Sequence, residues 1–61
     1  MFEEKRIGEE EWKAVPEVAV IAELQTCRKN PLNSLSVLRE YPMSTERTPW
    51  AEYRWNPDRK S

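Results

Sequence analysis

The stretch TPWAEYRWNP, residues 48–57, holds three of the six aromatic residues of this 61-residue chain. A proline stands near each of its ends, and Arg54 lies between Tyr53 and Trp55. The opening Thr-Pro pair can cap and begin a helical turn. The alternation of Ala51, Tyr53 and Trp55 is instead typical of a short extended segment. The sequence allows both interpretations.

The size and composition of the chain predict one small domain, residues 1–61, with a limited core. Hydrophobic residues make up 38% of the chain and charged residues 34%, and a domain of this length buries only about 60% of its unfolded surface. The core must therefore come from a few large side chains or from a second copy of the chain. We expect a homodimer on this basis.

Catalytic groups are scarce in the sequence. It contains no histidine, one cysteine (Cys27) and one glycine (Gly8), which excludes a conventional catalytic triad, a cysteine-rich metal site and a glycine-rich phosphate loop. We expect a non-catalytic protein that binds no metal and no cofactor.

Charge and hydropathy favour a cytoplasmic protein. The net charge of −1 gives no overall attraction to nucleic acid or to anionic lipid. The opening MFEEKR lacks the apolar segment of a signal peptide, and no apolar run approaches the ~20 residues of a membrane span. We therefore expect no membrane association.

The prolines divide the chain into short units, and the first two predict helices. The acidic run behind Gly8 suits the first turn of a short helix within residues 1–15. Pro16 suits the start of a second helix, near 16–29, in which Val20, Leu24 and Cys27 form an apolar stripe that buries the cysteine. Residues 18–24 also alternate as a strand would, but the end signals favour the helix.

A third helix is expected near 32–41, with Asn30 or Asn33 as its cap. Four of its residues are predicted to share one apolar arc: Leu35, Val37, Leu38 and Tyr41. The expected fold is all-α, because the lone Gly8 makes Asn-Gly hairpin turns unavailable. A helical hairpin (16–43) follows the short acidic helix (1–15), and the polar connector and aromatic tail (44–61) pack on it.

The function favoured by the sequence is a protein-interaction module, such as an adaptor, inhibitor or assembly factor. Chains of this size and charge are common among bacterial and phage-encoded regulators. Aromatic side chains anchor small cores and interfaces alike. Trp50 is predicted to close the core, while Tyr53, Arg54 and Trp55 are predicted to contact a partner protein.

The alternative is a small DNA- or RNA-binding regulator of the helix-turn-helix type. A helical hairpin is the skeleton of that motif, and arginines interleaved with aromatic rings can contact phosphates and stack on bases. The residues predicted for this role are Arg39, Arg47, Arg54, Arg59 and Lys60.

Overall fold

Strands from the two ends of the chain form the centre of the structure, a computed structural model that describes residues 1–28 and 30–59. A four-stranded antiparallel sheet packs one face against a helical hairpin. The strand order is β2-β1-β4-β3. The elements in chain order are β1 (Phe2–Arg6), β2 (Lys13–Ala14), α1 (Glu17–Thr26), α2 (Pro31–Glu40), β3 (Thr45–Arg47) and β4 (Ala51–Trp55).

The predicted all-α class is therefore wrong, and the fold is α+β. The error lies at both ends of the chain, where residues 1–15 form β1 and β2 instead of an acidic helix, and the aromatic tail forms β4. β1 pairs with β4 over five positions, from Phe2 opposite Trp55 to Arg6 opposite Ala51. A helix of two turns has little stability alone, so this long-range pairing overrides the local acidic signal.

The strands are connected by turns that contain no Asn-Gly sequence, so the lack of such sequences did not exclude a sheet as we had expected. Gly8 supplies a positive φ of 90° between β1 and β2. Between β3 and β4 the buried Thr48 hydroxyl accepts from the N–H of Ala51 at 3.0 Å and donates to its carbonyl oxygen at 3.1 Å. The central β1–β4 pair joins distant segments, so it needs no hairpin turn.

Both helices of the predicted hairpin are present. Pro16 occupies the N-cap position of α1 without a capping hydrogen bond. The Asn30 side chain caps α2 by accepting from the Asn33 N–H at 3.2 Å. Residues 18–24 are helical rather than extended. Arg28 follows α1 with a positive φ of 59°, and the predicted helix end at position 29 lies outside the described residues.

The helices supply about half of the core, and the predicted helical stripes are only partly correct. Val20 and Leu24 are buried as expected, whereas Cys27 is half-buried at the end of α1. The α2 arc was assigned too widely, because Val37 and Tyr41 are exposed. In the part of the chain that the structure describes, the buried apolar cluster consists of Phe2, Val20, Leu24, Leu35, Leu38, Ala51 and Tyr53.

The buried cluster shows that the core forms within one chain, so completing the core is no longer a reason to expect a homodimer. The inward faces of α1 and α2, which we expected a second copy to cover, are covered by the chain's own sheet. Any contact between copies must therefore use a different surface.

Candidate functional site

The aromatic stretch is a central strand whose side chains alternate between the two faces of the sheet. Tyr53 points toward the helices and is fully buried. Its hydroxyl donates to Glu4 Oε2 at 2.8 Å, and burial together with this carboxylate raises the pKa of Tyr53. Tyr53, predicted to contact a partner, is therefore inaccessible in the folded chain.

The two tryptophans of this stretch both pack against the core. Trp50 is half-buried and its indole N–H donates to the Glu23 carboxylate on α1. Trp55 is also half-buried, and its ring meets Phe2 edge-on with centroids 4.8 Å apart. The structure thus gives Trp55 a structural contact of the same kind as Trp50, although we had expected Trp55 to be the exposed member of the pair.

Arg54 points to the opposite face of the sheet, where it joins a buried carboxylate. Its Nε donates to Glu3 Oε1 at 2.8 Å, and Arg59 Nη1 donates to Glu3 Oε2 at 2.7 Å. The centroid of the Trp12 ring lies 4.1 Å from the Arg54 guanidinium carbon. Glu3 is only 2% exposed. Arg54 is therefore held from both sides by groups of its own chain.

Burial and hydrogen bonding act in opposite directions on this carboxylate. Burial raises the pKa of Glu3, but the hydrogen bonds from Arg59 and Arg54 outweigh it and leave the pKa below its ordinary value of 4.5. Glu3 is therefore charged at neutral pH, and this charge offsets part of the positive charge of the two arginines.

The structure distributes the arginines of the nucleic-acid alternative over both sides of the molecule. Arg47 lies on the same sheet face as Arg54, and its Nη2 donates to Glu52 Oε1 at 2.7 Å. Arg39 lies on the helix side, where it donates to Glu17 at 2.7 Å and covers the rings of Phe2 and Trp55 at 5.0 and 5.5 Å. Lys60 lies outside the described residues.

The outer face of the helical hairpin, which we call the hairpin face, presents exposed apolar side chains. Val18 on α1 and Leu32 on α2 are 69% and 68% exposed. The exposed side chains between the two ends of this face are all uncharged: Val18, Ala22, Gln25, Thr26, Leu32, Asn33, Ser36 and Val37. Interface centres are depleted in charge in the same way.

Among the residues that the structure describes, the exposed charged side chains of the helical hairpin stand at the two ends of the hairpin face. The Glu17–Arg39 ion pair lies where α1 begins and α2 ends, with Glu40 beside it. Arg28 is exposed at the other end, in the connection between the helices. The face therefore has an uncharged centre, one acidic end and one basic end.

Sequence reasoning missed the hairpin face, although a signal for it is present. Val18 and Ala22 are four residues apart, as are Leu32 and Ser36, and such pairs share one side of a helix. These pairs lie away from the stripes that contain Leu24 and Leu35. Once the buried sides of both helices are known, the apolar residues outside those sides predict an apolar surface that faces solvent. No local sequence pattern, in contrast, indicates that Arg54 and Arg59 bind Glu3, because both arginines are more than fifty positions away along the chain.

Both helices of the described chain are ten residues long, too short to cross a bilayer. No protein-family model, curated protein or solved structure matches this chain.

Proposed function

We propose that this chain is a small, non-catalytic protein-interaction module that docks through its hairpin face. The observation that carries the proposal is the exposure of Val18 and Leu32 at the centre of an uncharged surface. Of the six large apolar side chains that the described chain leaves exposed, Val18 and Leu32 are the two most exposed, and they lie on adjacent helices. A protein partner that covers them gains the free energy of removing that apolar surface from water.

The arginines support a protein partner over nucleic acid. Binding to phosphates requires cations that can exchange their present contacts for phosphate oxygens. Arg54 and Arg59 share the buried Glu3, and Arg39 is bonded to Glu17 while it covers two core rings. Recruiting these residues to nucleic acid would expose or unpair a carboxylate or a part of the core.

The proposal extends to the cellular compartment and to the way in which the module acts. We place the module in the cytoplasm, where the free and half-buried Cys27 stays reduced. Its role is that of an adaptor, inhibitor or assembly factor, because the hairpin face can occupy a surface of its partner without any reaction. The proposal also keeps the expectation of a homodimer.

The test compares two double variants that remove similar amounts of exposed apolar surface. Val18→Ser with Leu32→Ser changes the hairpin face, whereas Ile7→Ser with Met43→Ser changes exposed positions elsewhere, at 65% and 52% exposure. Each protein is used to capture its partner from the cells that produce it, and binding is then measured with the purified partner. Circular dichroism and thermal unfolding confirm that both variants fold.

We expect the hairpin variant to lose tenfold or more in affinity, equivalent to about 1.4 kcal/mol, while the control variant binds as the wild type does. Equal binding by all three proteins contradicts the proposal. Captured nucleic acid, with affinity that falls steeply as salt rises, contradicts it as well and supports the alternative.

A further inference from the structure

We infer that a second copy of this chain covers the hairpin face, with the two hairpins packed face to face and antiparallel. The inference rests on the proposed function, because it names the partner of the same surface. It depends on the charges at the two ends of the face and on the shape and size of the surface between them.

The end charges are complementary to those of a reversed copy. The bond from Arg39 Nη2 to Glu17 Oε1, at 2.7 Å, shows that the start of α1 lies beside the end of α2. Glu40 therefore stands at that end, and Arg28 stands at the opposite end. Neither residue forms an ion pair within the part of the chain that the structure describes.

In the antiparallel dimer, a two-fold axis lies in the plane of the face and runs perpendicular to the helices, so the same contact between opposite charges forms twice. This axis turns the Arg28 end of each copy onto the Glu40 end of the other. An arrangement with the copies parallel would instead place Arg28 near its own symmetry mate and Glu40 near its own, and like charges in close contact are unfavourable. The charges thus select the antiparallel arrangement.

The apolar side chains follow the same symmetry. Val18 lies in the first turn of α1, near the Glu40 end, and Leu32 lies in the first turn of α2, near the Arg28 end. Reversing one copy brings each Val18 to the same end of the interface as the Leu32 of the other copy, which lies on the neighbouring helix. The small side chains of Ala22 and Ser36 between them let the helices of the two copies approach closely.

The area of the hairpin face limits the strength of this dimer. A ten-residue helix is about 15 Å long, and two helices packed about 9 Å apart present a face roughly 20 Å wide. The resulting ~300 Å² of flat surface is well below the ~800 Å² that each partner of a standard stable complex buries. The dimer is therefore weak and forms as the concentration rises.

Sedimentation equilibrium of the purified chain, from micromolar to millimolar concentration, tests this arrangement. We expect the mass to rise from 7.3 kDa toward twice that value. Arg28→Glu and Glu40→Arg should each weaken the dimer about tenfold, and the double variant that carries both changes should restore it. Glu10→Arg, which alters an exposed carboxylate outside the hairpin by the same charge, serves as the matched control and should dimerise as the wild type does.

The outcomes separate the inference from the proposed function. A wild-type mass of 7.3 kDa at every concentration, or a charge-swapped double variant that stays monomeric although it is folded, overturns the inference. In that case the proposed function still stands if Val18→Ser with Leu32→Ser abolishes binding to a captured partner. If that variant changes neither self-association nor capture, both are overturned.

Discussion

Glu3 and Arg54 lie opposite each other on β1 and β4, and Arg54 Nε donates to Glu3 Oε1 at 2.8 Å on the sheet face turned away from the helices. The Trp12 ring covers the guanidinium, and Arg59 takes the second carboxylate oxygen. A two-layer protein leaves one sheet face without a helical layer. Here that face is closed by a buried carboxylate, two arginines and one indole.

Replacement of Glu3 by glutamine should destabilise the fold by about 1.5–3 kcal/mol, because both arginines then donate to a neutral group. Urea unfolding of Glu3→Gln measures the change. Glu10→Gln, at an exposed position in the β1–β2 connection, is the control and should stay within about 0.5 kcal/mol of the wild type. Equal stability of Glu3→Gln and wild type would mean that the arginine contacts contribute nothing in solution.

The same carboxylate predicts a loss of stability in acid. Its folded pKa lies below the ordinary 4.5, so its stabilising contribution is complete above that pH and is lost as the pH falls through the folded pKa. The free energy of unfolding, measured in urea at a series of acidic pH values, should fall more steeply for the wild type than for Glu3→Gln. Parallel curves for the two proteins would assign the acid sensitivity to other groups.

The raised pKa of Tyr53 leads us to expect a loss of stability in alkali as well. Its pKa is raised by burial and by Glu4 above the ordinary value of 10.0, so the unfolded chain loses this proton at a lower pH than the folded chain does. Stability should therefore decrease as the pH rises past 10.0. Tyr53→Phe should flatten this dependence in urea unfolding. An unchanged slope in that variant would show that other groups cause the alkaline loss.

Alanine at either Trp50 or Trp55 should lower the free energy of unfolding by about 2–3 kcal/mol, less than for a fully buried tryptophan because both are half-buried. The contact of Trp55 with Phe2 means that Trp55, which we predicted to contact a partner, also contributes to the stability of the fold. Trp55→Phe keeps an aromatic ring against Phe2 and is the control, with a smaller loss. A melting temperature unaffected by Trp55→Ala would instead favour the prediction that Trp55 serves to contact a partner.

Glycine at position 43 should stabilise the chain. Met43 has a φ of 70° and is 52% exposed, so its left-handed backbone is strained while its side chain buries little surface. Met43→Gly relieves a strain of about 1 kcal/mol, and thermal unfolding should show a higher melting temperature. Met43→Ala removes the same side chain without relieving φ and should show no gain. Equal melting temperatures for the two variants would argue against this account.

The two helices could be predicted because their signals are local. Pro16 and Asn30 mark the helix starts. Val20 and Leu24 in α1, and Leu35 and Leu38 in α2, recur at helical spacing within one turn of each other. The sheet depends on partners that are far apart along the chain. Glu3 and Arg54 are separated by 51 positions, and the local sequence around Glu3 gives no indication that a carboxylate there is buried between two arginines.

The strand β4 could be predicted only in part from the sequence. The alternation of Ala51, Tyr53 and Trp55 was visible, but an isolated extended segment has no partner that decides whether it is a strand. Phe2 and Glu4 on β1 provide that partner. The hairpin face was likewise open to prediction only after the helices were oriented, because Val18 and Leu32 look like core residues until the inward sides of α1 and α2 are known.

The pairing of β1 with β4 has a consequence for the order of events during synthesis. Both helices lie between Phe2–Arg6 and Ala51–Trp55 in the sequence, so the central pair of the sheet cannot close before Ala51–Trp55 has left the ribosome. α1 and α2 can associate earlier, but their apolar sides then stay uncovered. Pairings between such distant segments slow folding relative to helical bundles of the same length. We therefore expect the sheet to form in one late step of folding, when β1 meets β4.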